Sequence, residues 1–141
     1  MQAAGVDIGG KLLVPGPHNR KGYFEDALFY DLSRRILTAC CSPGAAGFHE
    51  IGWMDGEEPD FSKASALVDE AKDLISRRAR NHPAVWGWKD PRTTLLLPFW
   101  DRILPEAKYL FVYRQPWSVV TSFLESEQAT FQDNPGWPAR I

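Results

Sequence analysis

Two short, uninterrupted apolar runs in the second half of this sequence constrain its fold more than any other feature: Ala84-Val85-Trp86-Gly87-Trp88 and Tyr109-Leu110-Phe111-Val112-Tyr113. Both are rich in aromatic and β-branched residues, which suits buried strands. A helical segment over about residues 93–104 separates them, with Asp90 or Thr93 placed to cap its start and Pro98 either in an early turn or at a kink. A second helix follows from Pro116, a residue suited to the first helical position, through Val119, Val120, Phe123 and Leu124. Strand, helix, strand, helix implies a parallel pair joined by a right-handed crossover, and hence an α/β fold.

The first half supplies helices to cover such a sheet. Phe24, Ala27, Leu28, Leu32, Ile36 and Ala39 recur at spacings of three and four, which predicts a helix over about residues 23–40. Phe61, Ala64, Leu67, Val68, Ala71, Leu74 and Ile75 predict a second, stopped by Asn81-His82-Pro83. Between them, residues 42–60 are rich in Gly, Pro and acidic side chains and read as a long surface connection, while residues 130–141 read as an irregular tail. No internal repeat divides the chain, and 141 residues make about one domain.

Composition narrows the function classes. Gly and Pro total 22 of 141 residues (11 + 11), and hydrophobic residues reach 44%, so a collagenous, disordered or coiled-coil chain is excluded. Sixteen Lys and Arg against 18 Asp and Glu leave no general cationic surface for nucleic acid, so any anion must be held locally. The adjacent Cys40 and Cys41 form neither a normal disulfide with each other nor a metal loop, and are expected as buried small residues at a helix end. No His, Cys and carboxylate cluster has metal-ligand spacing; His18, His49 and His82 receive no role. The N-terminal stretch does not read as a secretory signal, and the longest apolar run, residues 95–100, is too short to span a bilayer, so a soluble, cytoplasmic chain is expected.

The chemistry is expected beyond the strand ends, where ligands bind in open α/β sheets. Lys89 follows the first run and Arg114 the second, so two cations of a parallel pair share one edge; the alternative is two solvated strand-end charges. Ser118 and Ser122 stand four apart on the following helix, and an Arg fork with a hydroxyl makes a sound phosphate clamp. A helical serine also bonds back to the preceding turn, and spacing alone does not decide between the two.

These residues carry a resemblance. GWKDPRTTLLLPFW followed by LPEAKYLFVYRQPWSVVTSF resembles the middle of the sulfotransferase family, and the earlier AGVDIGG and NRKGYFED resemble the segment after its phosphate-binding loop in a bacterial branch. The likeness implies a partial P-loop-type fold of three layers around a parallel sheet. It implies transfer of a sulfuryl group from 3′-phosphoadenosine 5′-phosphosulfate to a hydroxyl or amine acceptor, without a metal. Arg114 and Ser122, eight positions apart, match the pair that binds the donor's 3′-phosphate. Lys89 matches a strand-end lysine near the transferring group, where it would bind the donor and neutralise developing charge. Glu25 matches a position where some branches place the general base; the residue read by itself is an exposed helix-start carboxylate that serves the helix dipole. Asp90 and Arg92 share the motif, with Asp90 as a cap and Arg92 as its ion-pair partner as the structural alternative.

The resemblance also implies that the family's first strand and glycine-containing loop belong before Gly5, and that a late nucleotide-covering segment belongs after residue 141. The expected site is therefore the 3′-phosphate half of the donor pocket. Partners expected on this reading are the nucleotide donor and an acceptor, with association through an open sheet edge. The competing expectation is a non-catalytic remnant or interaction module that keeps only that half-site.

Overall fold

A computed structural model of the chain describes residues 1–16, 19, 22–41, 58–81 and 85–126. Most of the connection at 42–60, the tail at 130–141 and His18, His49 and His82 lie outside the described residues. Two compact units are present, Met1–Glu106 and Ala107–Ile141.

In the first unit, α1 (Ala27–Cys40) begins where the Asp26 carboxylate accepts a hydrogen bond from the Leu28 N–H at 2.9 Å. The helix therefore starts later than the apolar spacing predicts. Phe24 lies outside it with a left-handed φ of 57°. This start rotates the buried stripe: Phe29, Leu32, Ser33, Ile36, Leu37 and Cys40 face the core, while Leu28 is 54% exposed. The second predicted helix divides into a 3₁₀ segment, Phe61–Leu67, and α2, Val68–Asn81. Asp60 caps the former by accepting from the Ser62 N–H, and α2 carries Asp69 and Glu70 in its first turn and Arg78 and Arg80 in its last, matching the helix dipole. Ala64, Ala71 and Leu74 are buried, with Phe61, Leu67, Val68 and Ile75 packed beside them, as the spacing predicts. On the surface Arg35 of α1 forks onto the Glu70 carboxylate and also pairs with Asp31 at 2.9 Å.

Asp90 caps a 3₁₀ turn, Pro91–Thr94, and α3 (Leu97–Ile103) follows, with Pro98 in its first turn, where a missing N–H costs nothing. In the second unit, α4 (Pro116–Ser126) starts on Pro116.

The sheet is where the sequence expectation is overturned. Among the described residues no strand forms, so a three-layer α/β fold with a parallel sheet is not the architecture, and the partial P-loop-type fold and open sheet edge that depend on it fall with it. Three isolated bridges remain: Asp7 with Trp86 in parallel, and Leu12 with Asp26 and Gly16 with Asn19 in antiparallel. At the first, the Asp7 N–H donates to the Val85 carbonyl at 3.0 Å and the Gly87 N–H donates to the Asp7 carbonyl at 2.8 Å. The ladder goes no further: Gly9 follows with a φ of 124° and the chain bends at Gly10 and Lys11. The second apolar run, residues 109–113, is exposed and forms no strand. Helix-on-helix packing takes the place of helix-on-sheet packing.

That packing centres on aromatic rings. Phe29 of α1 stacks on Trp88 with centroids 4.3 Å apart and planes 7° from parallel. Trp100 of α3 closes on Trp88 at 4.9 Å, and Phe99 meets Trp100 edge-on at 5.3 Å. Trp86 and Trp88, two apart on an extended segment, fall on one side of it and both reach Phe29. Leu32, Ile36, Leu37, Leu96 and Ala64 fill the space around them. Replacing Phe29, fully buried, by Ala should cost about 3–5 kcal/mol in urea unfolding, whereas Val112→Ala should stay within about 0.5 kcal/mol because Val112 is 85% exposed.

Cys40 and Cys41 are buried at the end of α1, as expected, and neither forms a disulfide. Burial pushes the Cys40 thiol up from its ordinary 9.0 to about 11, with the neighbouring Cys41 and Asp60 acting in the same direction. A raised thiol pKa stabilises the fold below the unfolded value, and that contribution is lost as pH rises from 9.0 towards about 11. At pH 8.5 the native protein should alkylate at Cys40 about a hundred-fold more slowly than the urea-unfolded chain, measured by iodoacetamide labelling and mass spectrometry.

Candidate functional site

The dipeptide Glu25-Asp26, at the entry to α1, organises the charged side chains of the first unit. Its backbone is held to the N-terminal segment: the Leu13 N–H donates to the Glu25 carbonyl at 2.8 Å, and the Ala27 N–H donates to the Lys11 carbonyl at 2.9 Å. Glu25 is 4% exposed, so the reading of it as an exposed carboxylate serving only the helix dipole is replaced by that of a buried ion-pair partner. Lys89 Nζ donates to Glu25 Oε1 at 2.6 Å, and Arg92 Nη1 lies 3.7 Å from Glu25 Oε2. The Lys89 side chain is 47% exposed while that of Glu25 is 5% exposed, so a buried anion holds a cation that still reaches solvent.

Arg92 is fixed from three directions. Its Nη1 donates to Asp90 Oδ1 at 3.0 Å, and its guanidinium lies over the Tyr30 ring at 4.6 Å from the centroid. Its own backbone N–H donates to the same Asp90 oxygen at 2.9 Å. The motif Trp88-Lys89-Asp90-Pro91-Arg92-Thr93 thus closes on itself, with the Trp88 indole N–H donating to Thr93 Oγ1 at 3.1 Å. Asp90 serves both as cap and as partner of Arg92, the arrangement anticipated as the structural alternative. The resulting series, Asp90, Arg92, Glu25 and Lys89, alternates in charge and ends on the one side chain that is about half exposed.

Asp26 carries a second, adjacent system. Arg78 Nη2, from the last turn of α2, lies 3.4 Å from Asp26 Oδ2 and 3.6 Å from Asp7 Oδ1. The Gly9 N–H donates to the same Asp7 Oδ1 at 2.8 Å. A Cβ on Gly9 would sit 2.2 Å from Asp26 Oδ2, at a φ of 124° that side-chain-bearing residues rarely adopt. The spacing of the sequence does not reveal this group, because Arg78 reads as an ordinary helix-end cation and its partners are about 50 and 70 residues away. The glycine of AGVDIGG is the one local signal.

The remaining candidates belong to the second unit. Arg114 is exposed in the segment leading into α4, and Ser122 is exposed on α4. Ser118 is engaged locally: its N–H donates to Gln115 Oε1 at 3.0 Å and its hydroxyl donates to the same oxygen at 3.3 Å. Gln115 is therefore the cap of α4, a role the sequence reading assigned to no residue. The structure thus brings Glu25 and Lys89 into direct contact, while Arg114, before α4, and Ser122, on it, belong to the second unit.

Among the described residues no group of three or more His, Cys, Asp or Glu is arranged to hold a metal, and no helix is long and apolar enough to cross a membrane. Comparison with protein-family models, with curated proteins and with solved structures found no match.

Gly9→Ala should destabilise the first unit by about 2 kcal/mol or more, since it combines backbone strain with displacement of the Asp26–Arg78 pair. Gly10→Ala, where an added Cβ meets nothing within 4 Å, is the control and should change the urea midpoint little.

Proposed function

We propose that this chain is a sulfuryl-transfer domain that moves the group from 3′-phosphoadenosine 5′-phosphosulfate to a hydroxyl or amine acceptor. The observation that carries the reading is the contact between half-exposed Lys89 and buried Glu25 within the WKDPR motif. A buried carboxylate 2.6 Å away directs the ammonium, which suits it to meet an anionic donor. Transfer forms a bond from acceptor oxygen or nitrogen to sulfur while the sulfur–oxygen bond to the phosphate breaks, releasing adenosine 3′,5′-bisphosphate. Lys89 neutralises the charge that gathers on the leaving phosphate oxygen and the sulfuryl group. As Lys89 turns to the donor it vacates Glu25 Oε1, which then takes the proton of the acceptor. Arg114 and Ser122 are assigned to the 3′-phosphate on the sequence resemblance, an Arg fork with a hydroxyl being a sound phosphate clamp.

A second reading, a nucleotide-binding or interaction module without transfer, is favoured by one observation. Both oxygens of Glu25 face cations, Lys89 on Oε1 and Arg92 on Oε2, so in this arrangement the carboxylate acts as a clamp.

Calorimetric titration of adenosine 3′,5′-bisphosphate into the full chain tests the binding half: Arg114→Ala should weaken it about 10- to 100-fold, and the exposed Arg102→Ala should not. Transfer to a panel of hydroxyl and amine acceptors tests the other half. Lys89→Ala should cost about 10²–10³ in rate. Glu25→Gln separates the two readings: a base loses rate with nucleotide affinity kept, and a clamp alters affinity. Binding indifferent to Arg114→Ala would remove the phosphate assignment, and no transfer to any acceptor would leave the binding module as the function.

A further inference from the structure

Lys89 lies between two residues that are each clamped to the first turn of α1. Trp88, just before it, stacks on Phe29, and Arg92, three residues after it, sets its guanidinium over the ring of Tyr30, the next residue of α1, at 4.6 Å from the centroid. The two clamps differ in kind. The first belongs to the aromatic core and fixes the register of the backbone. The second reaches the charged group, because Nη1 of the same guanidinium lies 3.0 Å from Asp90 Oδ1 and 3.7 Å from Glu25 Oε2. Asp90 caps the 3₁₀ turn that carries Arg92, so its contact shapes that turn without tying it to α1. Tyr30 does tie it. Its backbone N–H donates to the Asp26 carbonyl at 2.9 Å, which seats the ring one helical turn beyond the Glu25-Asp26 pair. The guanidinium of Arg34, a turn further along α1, lies over the same ring at 5.6 Å from the centroid.

We propose that Tyr30 is a positioning residue: its ring holds the Arg92 guanidinium against Glu25 Oε2 and so keeps Oε1 turned to Lys89, a role whose effect on rate rests on the sulfuryl-transfer reading. The ring acts through its face, which carries partial negative charge and attracts a guanidinium; the hydroxyl has no part in this. An arginine suits the place, since a planar guanidinium stacks on a ring while its N–H groups still reach carboxylates at its edge. Without the ring, Arg92 keeps Asp90, its partner within the turn, and Glu25 loses the support on Oε2. A carboxylate held at one oxygen turns freely about its last bond, whose torsion is broad, and its distance to Lys89 is no longer fixed. A misplacement of about 1 Å between reacting groups costs up to about a hundred-fold in rate.

The test uses the full chain, isotope-labelled at the lysine side-chain nitrogen, with the Lys89 ammonium resonance identified by its loss in Lys89→Arg. Tyr30→Phe, which keeps the ring, should leave that resonance in place. Tyr30→Leu should move it, and so should Arg92→Gln. In the double variant Tyr30→Leu/Arg92→Gln the resonance should stand where Arg92→Gln alone puts it, because Tyr30 acts through Arg92. Near-ultraviolet circular dichroism of the Phe29, Trp88 and Trp100 core should stay unchanged throughout; Tyr30→Met gives the same comparison if Tyr30→Leu disturbs it. In transfer from 3′-phosphoadenosine 5′-phosphosulfate, Tyr30→Leu should lower kcat about ten-fold with KM for the donor within about two-fold, and Tyr30→Phe should keep both. A Lys89 resonance indifferent to loss of the ring, a further displacement in the double variant, or an unchanged kcat in Tyr30→Leu would overturn the proposal. Absence of transfer by the unsubstituted chain would instead remove the sulfuryl-transfer reading, and the resonance would then decide the positioning role by itself.

Discussion

The stack of Phe29 on Trp88 is the contact on which the first unit depends. It joins α1 to a segment that, among the described residues, has one backbone bridge, at Asp7 and Trp86, to hold it in place. Trp100 completes the group from α3, so three parts of the chain meet on one set of rings. The site geometry follows from that register. Glu25 lies four residues before Phe29, and Lys89 immediately follows Trp88, so stacking the two rings carries the carboxylate and the ammonium to within 2.6 Å. A shift of one residue in the extended segment would turn Trp88 away from Phe29 and Lys89 away from Glu25 together.

Burial decides how the charges behave. Glu25, Asp26 and Asp90 are all nearly buried, and a buried carboxylate without cations would be costly. Each has at least one: Lys89 and Arg92 for Glu25, Arg78 for Asp26, Arg92 for Asp90. Such pairs contribute little net stability relative to an apolar core, but removing one partner strands the other. Their effect is to fix position. Arg92, held by Asp90 and Tyr30, is a rigid support for Glu25, and Lys89 is the member of the series left with access to solvent.

Local rules in the sequence were legible where the interactions are local. The stop of α2 at Asn81, Pro116 at the start of α4, Asp90 as a cap and Cys40 at a buried helix end each follow from a residue and its near neighbours. The start of α1 was misplaced because apolar spacing runs through Phe24, whereas the Asp26 side chain captures the Leu28 N–H and ends the periodic reading there. The sheet was misread for a related reason. Apolar, β-branched and aromatic composition marks a segment as suited to a strand, but a strand exists only if another segment supplies its hydrogen bonds, and residues 110–113 have none among the described residues. Asp26–Arg78–Asp7 was invisible for the same cause, since nothing near Arg78 in sequence announces its partners.

By itself, then, the sequence determined the helices, their caps and breaks, and the chemical types gathered in the WKDPR motif, because propensity, capping and local charge act over a few residues. Only tertiary structure decided which carboxylate meets which cation, that the first aromatic run joins a helical core while the second is exposed and forms no strand, and that Glu25 is buried. Those outcomes depend on packing between residues tens of positions apart, as with Glu25 and Lys89, where a match of shape and register sets the distance.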